Sequence, residues 1–244
     1  MRNLRLLIEY DGTGYAGFQR QPRRPTIQGE LERALGRLLG EPVRVVGAGR
    51  TDAGVHATGQ VAHALADHAI PAERAAAAAN RLLPAQIVVR EVEEAAPEFH
   101  ARRDARARRY EYTVFNRRGP SAILGRFAVF AAEPLDVAAM DEAGRVLIGE
   151  HDFRSFQKSG SETRSTVRRV TALRCRRSGD RVTIAVEANA FLYQMVRIMV
   201  GVLLRVGAGE MTAADVRRLL RLADRRAAGP AAPAHGLCLV RVRY

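Results

Sequence analysis

Only two cysteines occur among the 244 residues, Cys175 and Cys238. They lie far apart in sequence, which leaves no basis for a disulfide framework or a cysteine-rich zinc site. No apolar run approaches the ~18 residues that a membrane-spanning helix needs. The opening MRNLRLLIEYDG has too short an apolar core for a secretory leader, so a cytoplasmic protein without a membrane partner is expected. Lysine is almost missing: Lys158 is the only one. Acid is also scarce, with 26 Asp and Glu against 39 Lys and Arg, a net charge of +13. The positive charge is therefore arginine, which binds phosphate through a planar two-pronged group. Such an excess favours a polyanionic partner, most plausibly nucleic acid, although a GC-rich coding bias also enriches Arg and Ala. The apolar fraction of 47% excludes disorder as the main state and fits one large or two small globular domains.

The hydrophobic pattern alternates strands with helices. Leu4–Tyr10 reads as a buried strand, followed by a Gly- and Pro-rich loop over 11–25. Thr26 is a plausible N-cap for a helix whose stripe is Ile27, Leu31, Leu35, Leu38 and Leu39, ended by Gly40. Strands are expected at 43–46, 60–65 and 87–92, with a glycine-bearing loop over 47–59 and a helix over 71–83. In the second half, strands are expected at 109–115, 127–131, 170–176, 182–187 and 237–242. Ser178-Gly179-Asp180 is a hairpin signal, and helices are expected at 136–148, 191–206 and 212–222. Tight turns between strands favour α+β with a mainly antiparallel sheet over a doubly wound parallel one. No low-complexity linker separates the two halves, taken as 1–104 and 105–244.

Gly12-Thr13-Gly14-Tyr15-Ala16-Gly17 spells G-x-G-x-x-G after a strand. A dinucleotide site would need a helix to begin inside the motif, so that its amides meet the pyrophosphate. Here Gln21-Pro22-Arg23-Arg24-Pro25 follows and cannot continue a helix. A basic loop that offers Arg20, Arg23 and Arg24 is the better reading, and no nucleotide cofactor is expected.

The chemistry centres on Gly47-Ala48-Gly49-Arg50-Thr51-Asp52-Ala53-Gly54-Val55-His56. Its glycines permit positive φ and close approach of a ligand. Asp52 lies between Arg50 and His56, and a neighbouring cation keeps a carboxylate ionised, as a nucleophile requires. No second acid lies nearby, which argues against a two-carboxylate glycosidase. No serine or cysteine is recognisably paired with a histidine. These residues alone leave open that Asp52 merely caps a turn.

Gly49-Arg50-Thr51-Asp52-Ala53-Gly54-Val55-His56 resembles the signature loop of the tRNA pseudouridine synthase A family. Other segments resemble it in the same order: Tyr10–Thr13 with Tyr15–Gln19, Thr26–Leu31, Phe99–Arg102, Arg108–Tyr112, Phe153–Phe156, Asn189–Phe191 with Met195–Arg197, and Gly236-Leu237. The resemblance implies two related α/β halves that share an extended sheet, with helices on one face and a basic cleft on the other. It implies a homodimer acting on uridines 38–40 of the tRNA anticodon arm, with neither cofactor nor metal. Asp52 would be the nucleophile, Tyr110 would stack on the flipped uracil, and Arg197, which interrupts an apolar helix, would hold the carboxylate ionised. Arg50 would bind substrate. Arg20, Arg23, Arg24, Arg102, Arg103, Arg106, Arg108 and Arg109 are candidates for a phosphate track. The rivals are a non-catalytic RNA-binding protein and a synthase aimed at another RNA.

Overall fold

The computed structural model describes residues 2–66, 71–160 and 163–244. The described residues form an α+β fold with ten strands and five α-helices. The chain divides into two compact units: the residues up to Arg106 with Cys238–Tyr244, and Ala107–Leu237.

The first unit runs β1 (Arg2–Tyr10), α1 (Ile27–Leu39), β2 (Val45–Gly47), β3 (His56–Ala66), α2 (Ala72–Asn80) and β4 (Ile87–Ala95). Its strands lie in the order β4-β1-β3, with β2 on the far edge of β3. All three pairings are antiparallel, the split β-α-β arrangement. Leu4, Leu6, Ile8 and Tyr10 alternate along β1 and are all buried, as one inward face of a strand requires. Helix α1 buries Ile27, Leu31, Ala34 and Leu35. Ile27, Leu31 and Leu35 each contribute about 1.5–3 kcal/mol on burial. Its ends follow the sequence signals: the Thr26 side chain accepts from Gly29 N, and Gly40 stops the helix in the left-handed region at φ 74.

The second unit runs β5 (Ala107–Asn116), β6 (Val129–Ala131), α3 (Val137–Arg145), β7 (Gly149–Asp152), β8 (Val167–Ser178), β9 (Arg181–Ala188), α4 (Met195–Gly207) and α5 (Ala213–Leu222). The order is β5-β9-β8-β7, antiparallel throughout, with β6 parallel to β5. Gly179, at φ 56, turns the β8–β9 hairpin. Tyr110, Tyr112 and Val114 share the buried face of β5. Thr212 and Asp215 form a reciprocal capping box on α5. The last strand, β10 (Leu237–Arg243), runs parallel to β3 at Cys238 and Leu239 and so groups with the first unit.

Three elements differ from the sequence reading. Strand β3 starts at His56, inside the segment expected to be loop. Gly59, which suggested a loop, is a strand residue: a Cβ there would lie 2.2 Å from Val240 O. Glycine at this point marks the close passage of β10. Helix α4 starts at Met195 because Gln194 is left-handed, at φ 58, and the apolar periodicity from Phe191 conceals that break. Strand β7, Gly-Glu-His-Asp, has no apolar alternation and is held as an edge by pairing with β8 alone. Cys175 is buried, which pushes its thiol up to about 12. Cys238 is only half-buried.

Candidate active-site loop

Residues 48–55 leave β2 and return into β3, and three sets of hydrogen bonds fix their path. Ala48 N donates to Val61 O at 2.7 Å and Phe18 N to Thr51 O at 3.1 Å. The main-chain oxygen of Asp52 accepts from Val55 N at 3.1 Å and closes the turn that presents the carboxylate. Asp52 itself is half-buried.

Beneath this turn lies a buried polar cluster. Tyr10 Oη and Thr51 Oγ1 are 2.8 Å apart, and Gln60 Nε2 donates to Tyr10 Oη at 3.3 Å and to Gly49 O at 2.9 Å. Tyr10 is 2% and Gln60 0% exposed. Burial pushes the Tyr10 phenol far above its usual pKa, so the hydroxyl stays neutral. Two neighbouring strands thus grip the loop from below through groups that have no access to water.

The glycines of the rejected dinucleotide motif acquire a role here. A Cβ on Gly12 would lie 2.1 Å from Val55 O. One on Gly17 would lie 2.6 Å from Thr51 O and 3.2 Å from Ala53 N. These two glycines let the 11–18 loop lie directly on the Asp52 loop, and no helix begins until Ile27. His56 joins the same contact: Gly12 N–H donates to its Nδ1 at 3.1 Å, and Asp11 Oδ1 lies 3.1 Å from the same nitrogen.

Positive charge gathers beside the loop. Arg50 is exposed, and partial burial together with the charge of Arg102 lowers its pKa. Two guanidiniums that repel one another are relieved by an anion. Arg102 and Arg103 sit on a turn whose amides both donate to His100 Nδ1 at 3.2 Å, while Ala101 N donates to His63 Nδ1 at 3.1 Å. Arg106 is exposed. Arg20 is exposed and pairs with Glu32 at 3.3 Å. Arg23 sits at the tip of the turn bridged by Gln21 and Arg24, left-handed at φ 57, and Arg24 is exposed.

In the second unit Arg109 is exposed and pairs with Glu111 at 3.0 Å. Arg108 corrects the surface expectation: it is 9% exposed, and its Nη1 donates to Asn189 O at 2.7 Å. It ties β5 to the end of β9. Tyr110 is 7% exposed and meets Phe191 edge to face, with centroids 5.2 Å apart. Arg197 Nε donates to Ala232 O at 2.8 Å, and Ala232 N returns a bond to Arg197 O at 2.9 Å. Tyr112 Oη donates to Pro233 O at 2.9 Å, so the 232–233 segment is clipped to both α4 and β5.

Sequence reasoning missed the Tyr10–Thr51–Gln60 cluster. The available signal was Gln60, a polar amide inside the apolar run of β3. Among the described residues no group of three or more His, Cys, Asp or Glu could hold a metal, and no helix is long and apolar enough to cross a membrane.

The family model described as tRNA pseudouridine synthase matches residues 6–104 and 143–244. Curated relatives named tRNA pseudouridine synthase A match over the whole length. The protein of Acetivibrio thermocellus is 43% identical over 244 residues, covering 100% of both chains. That of Moorella thermoacetica is 46% identical over 243 residues, covering 99% of both. That of Geobacter sulfurreducens is 46% identical over 246 residues, again covering 100% of both.

Proposed function

The chain belongs to the tRNA pseudouridine synthase family and is an isomerase acting on tRNA; from that premise we propose that it converts uridines 38–40 of the anticodon arm, with Asp52 as nucleophile. The observation that carries this reading is the single carboxylate on a loop clamped by buried hydrogen bonds, with Arg50 beside it.

The reaction breaks the N1–C1′ bond, turns the uracil, and joins C5 to C1′. N1 gains a proton and C5 loses one, so nothing is oxidised and no cosubstrate is consumed. One carboxylate is enough, because it acts at the nucleoside and is released when the new C–C bond closes. The target base must leave the stack to reach Asp52. Tyr110 is assigned to stack on that base and assist loss of the C5 proton, and Arg197 to hold the carboxylate ionised. Arg50 and the exposed arginines of both units are assigned to phosphates.

The test is tritium release from tRNA carrying C5-labelled uridines, with the modified positions then mapped. Release confined to positions 38–40 is expected, and modification elsewhere would reassign the target. Affinity for tRNA should fall steeply with salt, because each neutralised phosphate adds about 0.7–0.9 to the log–log slope. A flat response would remove the phosphate assignments.

Tyr10→Phe tests the buried cluster. It leaves Thr51 Oγ1 and Gln60 Nε2 short of a partner, at a cost of about 1–3 kcal/mol. A kcat lower by about tenfold with KM for tRNA unchanged is expected, since the loop shifts while the RNA surface stays. A lowered melting temperature with kcat per folded enzyme unchanged would show that Tyr10 serves folding alone.

We also propose a cytoplasmic homodimer. Ile123 is 84% exposed, and Leu124, Phe127 and Phe130 are exposed around β6, an apolar cluster suited to a second copy. Light scattering at micromolar concentration reads the mass directly, and a monomer would remove the proposal.

A further inference from the structure

Outside the Asp52 loop, the second unit carries an open hollow of about 520 Å³ lined by Arg154, Lys158, Arg225, Arg226 and Asp224, with Gln157 and Ser159 at its margin. Four cations face one carboxylate, and that carboxylate is already engaged. Asp224 Oδ1 accepts from Arg226 N at 2.9 Å and from Arg226 Nε at 3.2 Å, while Oδ2 accepts from Arg226 Nη2 at 3.2 Å. These bonds hold the Asp224 carboxyl below the usual range, so it stays an acceptor spent on its own turn.

The remaining cations are less satisfied. The Arg154–Asp152 pair is loose, at 3.7 Å. Arg225 Nη1 donates to a main-chain oxygen, that of Gly229, at 2.5 Å. The Lys158 ammonium has no carboxylate partner among the described residues and lies 5.6 Å from the ring centroid of Tyr193, itself 41% exposed. Lys158 N donates to Tyr193 O at 3.0 Å, so main chain as well as ring positions this lysine.

Well-packed elements present the charges. Phe153 and Phe156, which flank Arg154, are fully buried, and Ser155 Oγ donates to Leu219 O at 2.7 Å. Ala228, at the end of the 225–228 turn, is also fully buried. An open, cationic hollow of this kind does not enclose a small molecule. It matches an extended anion whose charges repeat along a chain.

We propose that this hollow, lined by Lys158 and three arginines, is a docking site for the sugar–phosphate backbone of the substrate RNA. The proposal rests on the reading that the substrate is RNA, and its test separates the two. Lys158 is the only lysine, so an amine-acetylating reagent reports on this one side chain in the unaltered protein, with the α-amino group as internal reference.

Saturating tRNA should slow acetylation of Lys158 by about fivefold or more relative to that reference. The double variant Lys158→Ala, Arg226→Ala should bind tRNA about tenfold more weakly, with a salt slope smaller by about 2. Its melting temperature should stay unchanged, because both side chains are exposed. Unprotected Lys158, or an unchanged affinity and slope in the double variant, while wild type still releases tritium, would overturn the docking site and leave the RNA reading intact. Protection by millimolar inorganic phosphate but not by tRNA would also overturn it, in favour of a small-anion site. A wild-type protein that neither binds tRNA nor releases tritium would remove the RNA reading itself.

Discussion

Asp52→Asn is expected to reduce tritium release from tRNA by about 10⁴-fold or more, the scale on which loss of a nucleophile is felt, while tRNA affinity stays within about threefold. The change replaces one oxygen with an amide nitrogen and keeps the volume. It removes the negative charge on which attack depends. Binding is expected to survive because the assigned phosphate contacts are the arginines, and Thr51 and Gly49 still hold the loop. Parallel measurement of binding and turnover decides the matter. A variant that retains turnover within a few-fold would show that Asp52 is not the nucleophile and would return it to a turn-forming role. A variant that loses both binding and turnover would place the carboxylate in RNA recognition.

Gly17→Ala should give the next largest effect. Its added Cβ would lie 2.6 Å from Thr51 O and 3.2 Å from Asp52 C, at a φ of +102 that L side chains seldom adopt. Steric overlap costs about 1–3 kcal/mol, and the left-handed backbone about 1–2 kcal/mol more. A shift of the Asp52 loop by about 1 Å would lower kcat by about 10²-fold, because proximity terms fall steeply with misplacement. Gly14→Ala is the matched control. Gly14 is also left-handed, at φ +81, but a Cβ there meets nothing within 4 Å. It should lose a little stability and keep its kcat. If Gly17→Ala turned over as fast as Gly14→Ala, contact between the two loops would have no part in aligning Asp52.

These variants show how unevenly the sequence could be read. The α1 boundaries were legible because their signals are local: Thr26 and Gly40 act within one helical turn. The buried face of β5 was legible from period-two alternation. Arg108 was read as a surface charge because its neighbours are charged, yet it lies on an inward position of β5 and bonds to Asn189 O. The start of β3 was hidden because a glycine looks the same in a loop and under a crossing strand. Gly12 and Gly17 were seen only as a mismatched phosphate motif, since what fills the space above them comes from residues 51–55.

By itself the sequence determined the α+β class, the arginine-rich charge that favours a polyanion, and, through its resemblance to a family, Asp52 as the residue to test. Short-range patterns and composition carry those facts, and they survive without knowledge of which segments meet. Only the tertiary structure decided that Tyr10, Thr51 and Gln60 converge beneath the Asp52 turn, and that Gly12 and Gly17 make room for it. It also decided that the lone lysine shares a hollow with Arg154, Arg225 and Arg226. Such meetings depend on strand order and packing between residues distant in the chain, and local periodicity contains no term for them.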